Sequence, residues 1–227
     1  MARKVSKNYT KQCFVLKCDI RKFFASIDHT VLLSILEKYI KDENIMQLLS
    51  NVIGSFGFNG CHPRVTSCHS RENGNLVLDP RIREDDKQGL PLGNLTSQLF
   101  ANVYMNIFDQ FVKRTLKIKY YIRYADDFVF LSDDKQCLEA LLPVVSNFLF
   151  SKLILSLHPD KVFIKTFSSG VDFLGWVHFP NHRVLRTVTK RRMFRRIKET
   201  CKKEETVSSY LGMIRWGNGW KLTKHIL

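Results

Sequence analysis

Long apolar runs are missing from this chain. The nearest, Ala140 to Phe150, falls short of the ~18 residues a membrane-spanning helix needs, and Pro143 and Asn147 interrupt it. No membrane partner is therefore expected. The start, Met1 to Lys4 followed by polar residues, lacks the apolar stretch of a secretory signal. Cysteine pairs are missing too: Cys13, Cys18, Cys61, Cys68, Cys137 and Cys201 form no C-x-x-C unit, which points to a reduced, cytoplasmic protein. Acid is scarce, with 36 Lys and Arg against 21 Asp and Glu, a net charge of +15. That surplus implies a polyanionic partner, with nucleic acid ahead of a membrane surface. Core material, by contrast, is plentiful: 44% of residues are hydrophobic and 12% aromatic, which excludes wholesale disorder. The 227 residues suit one large domain, or a domain with a small appendage.

The positive charge is uneven. Residues 181–227 hold 13 Lys and Arg against Glu199, Glu204 and Glu205, so 10 of the 15 net charges lie in the last fifth of the chain. Lys190 to Lys198 has a helical pattern, with Met193, Ile197 and Cys201 spaced i, i+4, i+8. Lys190, Arg191, Arg192, Arg195 and Arg196 then cover the other faces of an amphipathic helix. A solvated helix is the bland alternative; phosphate contact, which releases condensed counterions, fits the clustering better. Tyr210, Trp216 and Trp220 follow, either as core residues or as surfaces on which bases stack.

Cys13 to Cys18 is a short apolar strand ending at Asp19. Asp28 caps a helix from His29 to Tyr39, and a second helix is expected from Glu43 to Ile53. From Phe58 to Asp86 both periodicities vanish, which marks a functional loop or an insertion. The turn Gly89-Leu90-Pro91-Leu92-Gly93-Asn94 opens a long helix to Leu116, capped by Asn94 or Thr96, with Leu99, Val103, Ile107 and Phe111 in register. Tyr120–Ala125 and Phe128–Leu131 read as strands meeting at Asp126-Asp127. A helix from Lys135 to Lys152 follows, then strands at Val162–Thr166, Val171–Phe179 and Arg183–Arg186 that complete the sheet. This order predicts an α+β fold, an antiparallel sheet backed by helices in a split βαβ arrangement.

Apolar strands that end in acids are odd as packing, because charge at a buried sheet edge is costly without a partner. If the strands lie side by side, Asp19, Asp126 and Asp127 converge. Such a cluster repels itself unless divalent cations neutralise it, and hard oxygen donors favour Mg²⁺. Two such ions suit in-line phosphoryl displacement. For Asp126-Asp127 taken alone, an ordinary turn is an equal reading.

These residues carry a resemblance. The run from Asp19 to His29 resembles motif A of reverse transcriptases, Gln88 to Gln98 resembles motif B, and Tyr124-Ala125-Asp126-Asp127 resembles motif C. Leu157 to Lys161 sits where motif D would, and Phe173-Leu174-Gly175-Trp176 resembles the motif E primer grip. Together they cover Phe14 to Trp176, and the tail from Ser209 to Trp216 resembles the start of a thumb. The resemblance implies a palm over residues 1–180, a basic thumb-like segment over 181–227, and RNA-templated DNA synthesis. It implies partners as well: dNTPs, an RNA template, a DNA or RNA primer, and a retroelement accessory protein.

Roles transfer by position. Asp19, Asp126 and Asp127 would hold two Mg²⁺ ions, and Phe24 would exclude a ribose 2′-hydroxyl. Gly93 would let backbone approach the incoming nucleotide, with Asn94 and Gln98 supporting template or nucleotide contacts. Lys161 would aid pyrophosphate departure or stand as a solvated lysine. Retroviral and group II intron enzymes commonly carry Gln where this chain has Leu92. Leu92 to Gln98 resembles instead the enzymes of diversity-generating retroelements, which implies error-prone copying at template adenines; retron or phage-defence relatives are the alternative.

Two departures from the family pattern stand out. Only 18 residues precede Asp19, with no fingers motif around Arg3, Lys4, Lys7 and Lys11, and the thumb is short. On this reading the fingers are largely absent, which leaves open a truncated remnant that binds nucleic acid without synthesis. The stretch 58–86 looks like an insertion of about 25 residues, and His69 to Asp86 resembles translated short palindromic repeats of some bacterial genomes. Cys61-His62 and Cys68-His69 lack the spacing of a zinc site.

Overall fold

The computed structural model describes residues 1–56 and 88–226. The stretch Phe58 to Asp86, and with it the insertion and the Cys-His pairs, lies outside the described residues.

Four strands, β1 (Phe14–Asp19), β2 (Tyr121–Tyr124), β3 (Asp127–Ser132) and β4 (Phe163–Thr166), form an antiparallel sheet in the order β2-β3-β1-β4. Alternation along β1 and β3 decides which face meets the core. Leu16, Cys18 and Ile20 on one chain segment and Phe128 and Phe130 on the other are all buried on one side. Helices α2 (His29–Glu37), α4 (Leu95–Gln110) and α5 (Lys135–Leu153) cover that side through Leu32, Ile35, Phe100, Tyr104, Phe108, Leu138 and Leu149. Full burial of each large side chain stabilises by roughly 1.5–3 kcal/mol. The opposite face carries Val15, Val129 and Leu131, packed against Ala2 and Val5 of the short helix α1 (Ala2–Val5) and against Val171. This α+β arrangement is the expected one.

Local chemistry sets the helix starts. The Asp28 carboxylate accepts the Val31 amide at 2.9 Å, and Asp42 accepts Asn44 and Ile45 at the head of α3 (Glu43–Gly54). Asn94 does cap α4, but by position alone, with no side-chain hydrogen bond. Helix α4 buries a neighbouring row more deeply than the expected one, of which Val103, Ile107 and Phe111 still pack, partly buried, against the core. Its buried residues are Ser97, Phe100, Ala101, Tyr104, Met105 and Phe108, while Leu99 is 60% exposed. The expected stripe and the observed one share helical spacing, so periodicity alone did not distinguish them. Beyond Gln110 the helix widens into a π turn over Phe111–Thr115, where Phe111 stacks on Phe148 with centroids 3.9 Å apart.

A further correction concerns the last strands. They do not extend the first sheet: β5 (Val171–Phe173), β6 (Trp176–His178) and β7 (Arg183–Leu185) form a separate three-stranded sheet. The single strand expected over Val171–Phe179 breaks at Leu174-Gly175. Both residues have positive φ, 53° and 80°, as a two-residue hairpin turn requires. Three helices follow: α6 (Thr187–Glu199), α7 (Glu204–Ile214) and α8 (Trp220–Ile226). Met193 and Ile197 are buried as expected, but Cys201 lies past the end of α6 and is exposed. Tyr210 packs against this small core, whereas Trp216 and Trp220 are largely exposed. Among the described residues, no helix is long and apolar enough to cross a membrane.

Candidate active site

The sheet register brings the first and last acids together. Asp19 stands directly opposite Asp127, and the Ile20 amide donates to the Asp126 carbonyl at 3.2 Å. Alternation places Asp19, Asp127 and Lys17 on the face away from the large helical core. The turn between β2 and β3 is tight because Ala125 adopts a left-handed φ of 52°.

Burial pushes both Asp126 and Asp127 above the usual carboxylate range. Repulsion from Asp19 adds to this in each case, while Lys161 and Lys17 oppose it at Asp126 and Lys17 opposes it at Asp127. Two lysines answer the negative charge. Lys17 Nζ lies 3.1 Å from Asp127 Oδ2, and Lys161 Nζ lies 3.1 Å from Asp19 Oδ1. Lys161 reaches Asp19 from the short helical turn Pro159–Lys161, which is tied down by the His158 amide on the Asp19 carbonyl at 2.8 Å.

As they stand, no three His, Cys, Asp or Glu side chains among the described residues are gathered to hold a metal ion. The donor chemistry still fits a hard divalent cation. All three groups are carboxylates, two of them disfavour a bare negative charge, and Asp127 Oδ1 is buried without any partner.

The Gln88 to Gln98 segment is wired to the segment after Asp19. The Leu90 amide donates to the Phe24 carbonyl at 2.7 Å, and the Gly89 amide to that of Ile27 at 2.8 Å. His29 Nε2 lies 2.7 Å from the Gly89 carbonyl, inside the protein. The Phe24 ring is half-buried and packs edge-on against Phe23, at 5.2 Å between centroids. Leu92 is 79% exposed, and Gly93, Asn94 and Gln98 are exposed beside it. Gly93 has φ 100° and nothing within 4 Å of where a Cβ would stand, so the demand for glycine there is conformational.

Phe173, Leu174, Gly175 and Trp176 form the β5–β6 hairpin, with Leu174 exposed at its tip. Trp176 packs into the small second core with Arg183 over its ring. Lys190 is half-buried, and Arg191, Arg192, Arg195 and Arg196 are exposed on α6.

Sequence reasoning missed Lys17. Its side chain is only 12% exposed, and Nζ also donates to the Asp172 carbonyl at 2.7 Å. It therefore ties Asp127 to the second sheet. Asp172 in turn pairs with Arg186, the residue preceding α6, at 2.7 Å. The available signal was a lysine two residues before Asp19 in an otherwise apolar strand.

A sheet with helices on one face and paired acids at its strand ends on the other defines a palm of the polymerase kind. The chain belongs to the reverse transcriptase (RNA-dependent DNA polymerase) family, whose model matches residues 2–178. It is 24% identical over 212 residues to the putative COX1/OXI3 intron 2 protein of Saccharomyces cerevisiae, covering 75% of this chain and 24% of that protein. It is 25% identical over 209 residues to protein YkfC of Escherichia coli, covering 78% of this chain and 48% of that protein. The chain thus spans less than half the length of both relatives. In structure it resembles apo telomerase from Candida tropicalis truncated from its C-terminal domain (TM-score 0.53, 14% identity, 81% of this chain, 38% of that one). It also resembles telomerase from Candida albicans in complex with a TWJ fragment of telomeric RNA (TM-score 0.50, 13% identity, 82% and 32%). At such identities the likeness is one of fold.

Proposed function

We propose that this chain supplies the palm, and over residues 181–227 a basic thumb-like segment, of an RNA-directed DNA polymerase. The observation that carries the reading is the register of Asp19 against Asp127, with Asp126 in the adjoining turn. Asp19, Asp126 and Asp127 would hold two Mg²⁺ ions, which when bound would neutralise the charge developing on the transferred phosphoryl group. The rest falls to the chain itself. Phe24, anchored through its carbonyl by Leu90, would close the site to a 2′-hydroxyl. Leu92, Gly93, Asn94 and Gln98 form an open shelf for the incoming dNTP and its template base. Lys161, whose Nζ donates to Asp19 Oδ1 at 3.1 Å, would aid the departure of pyrophosphate. The hairpin Phe173–Trp176 would steady the primer end. Lys190, Arg191, Arg192, Arg195 and Arg196 would grip the backbone of the template–primer duplex.

The exposed aliphatic Leu92 supports assignment to the diversity-generating type, with an accessory protein as a further partner. A side chain unable to hydrogen-bond the nucleotide relaxes geometric selection there. The direct test is primer extension on an RNA template with Mg²⁺ and dNTPs, with Asp126→Ala/Asp127→Ala as control. Extension by the wild type alone is expected. Salt-dependent RNA binding with no extension would assign nucleic-acid binding without synthesis instead.

A further inference from the structure

Beneath the acidic turn lies a polar cluster that none of the roles above uses. Arg123 is the third residue of β2, and its side chain is 8% exposed. It meets Asp109 of α4 fork to fork: Nε donates to Oδ1 at 2.9 Å and Nη2 to Oδ2 at 2.6 Å. The Tyr121 hydroxyl donates to the same Oδ1 at 2.8 Å. The remaining nitrogen, Nη1, donates to the Ala125 carbonyl at 3.0 Å and stands 3.5 Å from Asn102 Oδ1. Ala125 is the left-handed residue that makes the turn and immediately precedes Asp126.

Packing alone does not call for this arrangement. A half-buried ion pair adds little to stability over apolar groups of the same size, because desolvation offsets the attraction. What a guanidinium adds is direction. Its planar fork is fixed by Asp109, so its third donor points along one line only. That line ends on the carbonyl of a residue in a conformation that non-glycine residues disfavour. The Ile20 amide holds the next carbonyl, that of Asp126, from the β1 side. The turn is thus clamped from both flanks. One clamp is the motif A strand; the other runs through Asp109 to the helix that opens at Asn94.

We propose that Arg123 is a positioning residue. Locked by the Asp109 carboxylate, it holds the peptide after Ala125 so that Asp126 is presented at the site, and it couples α4 to the catalytic turn. This rests on reading Asp126 as a metal carboxylate, so the test includes a measurement that does not depend on activity.

Hydrogen exchange over Tyr124 to Phe128 and steady-state incorporation of one dNTP would be measured in the full chain for Arg123→Ala, Arg123→Lys, Asp109→Asn and Tyr121→Phe. Arg123→Ala should exchange at least tenfold faster in the turn and lose 10- to 100-fold in kcat, with KM for dNTP changed less than twofold. Millimolar guanidinium should restore part of that rate where equal NaCl does not. Tyr121→Phe keeps the Arg123 bond to Ala125 and should leave turn exchange within twofold of wild type. If Arg123→Ala does not fold, Arg123→Lys, which keeps the charge but loses the fork, should show the same changes in weaker form. Unchanged exchange in the turn, or a loss confined to KM, would overturn the proposal. Should the wild type make no product, the polymerase reading fails while the exchange result still decides whether Arg123 sets the turn.

Discussion

Asp126 sits where burial opposes its ionisation and Asp19 repels it. A carboxyl held above its unfolded-chain value contributes stability while protonated, and loses that contribution as the pH rises through its folded titration range. Asp126→Asn removes the ionisation. In chelator at pH 7 it should therefore melt about 2–4 °C above the wild type, and the gap should close as the pH falls below the carboxylate range. Adding Mg²⁺ should reverse the order, because only the wild type keeps its full set of oxygens. Scanning fluorimetry across pH, with and without Mg²⁺, checks both statements. Leu92 offers a second residue-scale test. Leu92→Gln restores a hydrogen-bonding side chain on the exposed shelf, and should lower misincorporation opposite template adenine several-fold in sequenced extension products. An unchanged error spectrum would detach Leu92 from fidelity.

Helix α6 presents Arg191, Arg192, Arg195 and Arg196 to solvent while Met193 and Ile197 anchor it. Replacing Arg191, Arg192 and Arg195 together by Ala should leave the fold intact. It should lower the slope of log affinity against log salt for a template–primer duplex by roughly 0.9 for each phosphate no longer neutralised. A steady slope would mean a solvated helix. This element was legible because its buried pair is unambiguous among basic neighbours. On α4 the periodicity reached only the flank of the buried face: Val103, Ile107 and Phe111 are partly buried, Leu99 is exposed, and the deeper stripe is equally well spaced. Only the packing of Phe100, Tyr104 and Phe108 on Phe128 and Phe130 selects the face. The strand ends at Asp19 and Asp127 were legible for a different reason, since an acid closing an apolar strand breaks the pattern. Lys17 and the Asp109–Arg123 pair were not. Each joins residues distant in sequence, and nothing local announces the partner.

At the scale of the molecule, one sheet face makes the core and the other carries Lys17, Asp19 and Asp127. The scarcity of acid thus has a geography: Asp19 and Asp127 face each other at the ends of the two inner strands, with Asp126 in the adjoining turn, while most of the surplus cations lie past residue 180. An anionic duplex drawn to the second region would be extended at the first. The most direct measurement is single-nucleotide incorporation on a primed RNA template, comparing the wild type with Asp19→Asn, Asp126→Asn and Asp127→Asn. If the three carboxylates hold the metals, the wild type adds the nucleotide only with Mg²⁺. Asp19→Asn and Asp126→Asn should then lose at least ~10³-fold in rate, roughly 4 kcal/mol of barrier. Incorporation that survives either substitution at the wild-type rate would contradict the assignment.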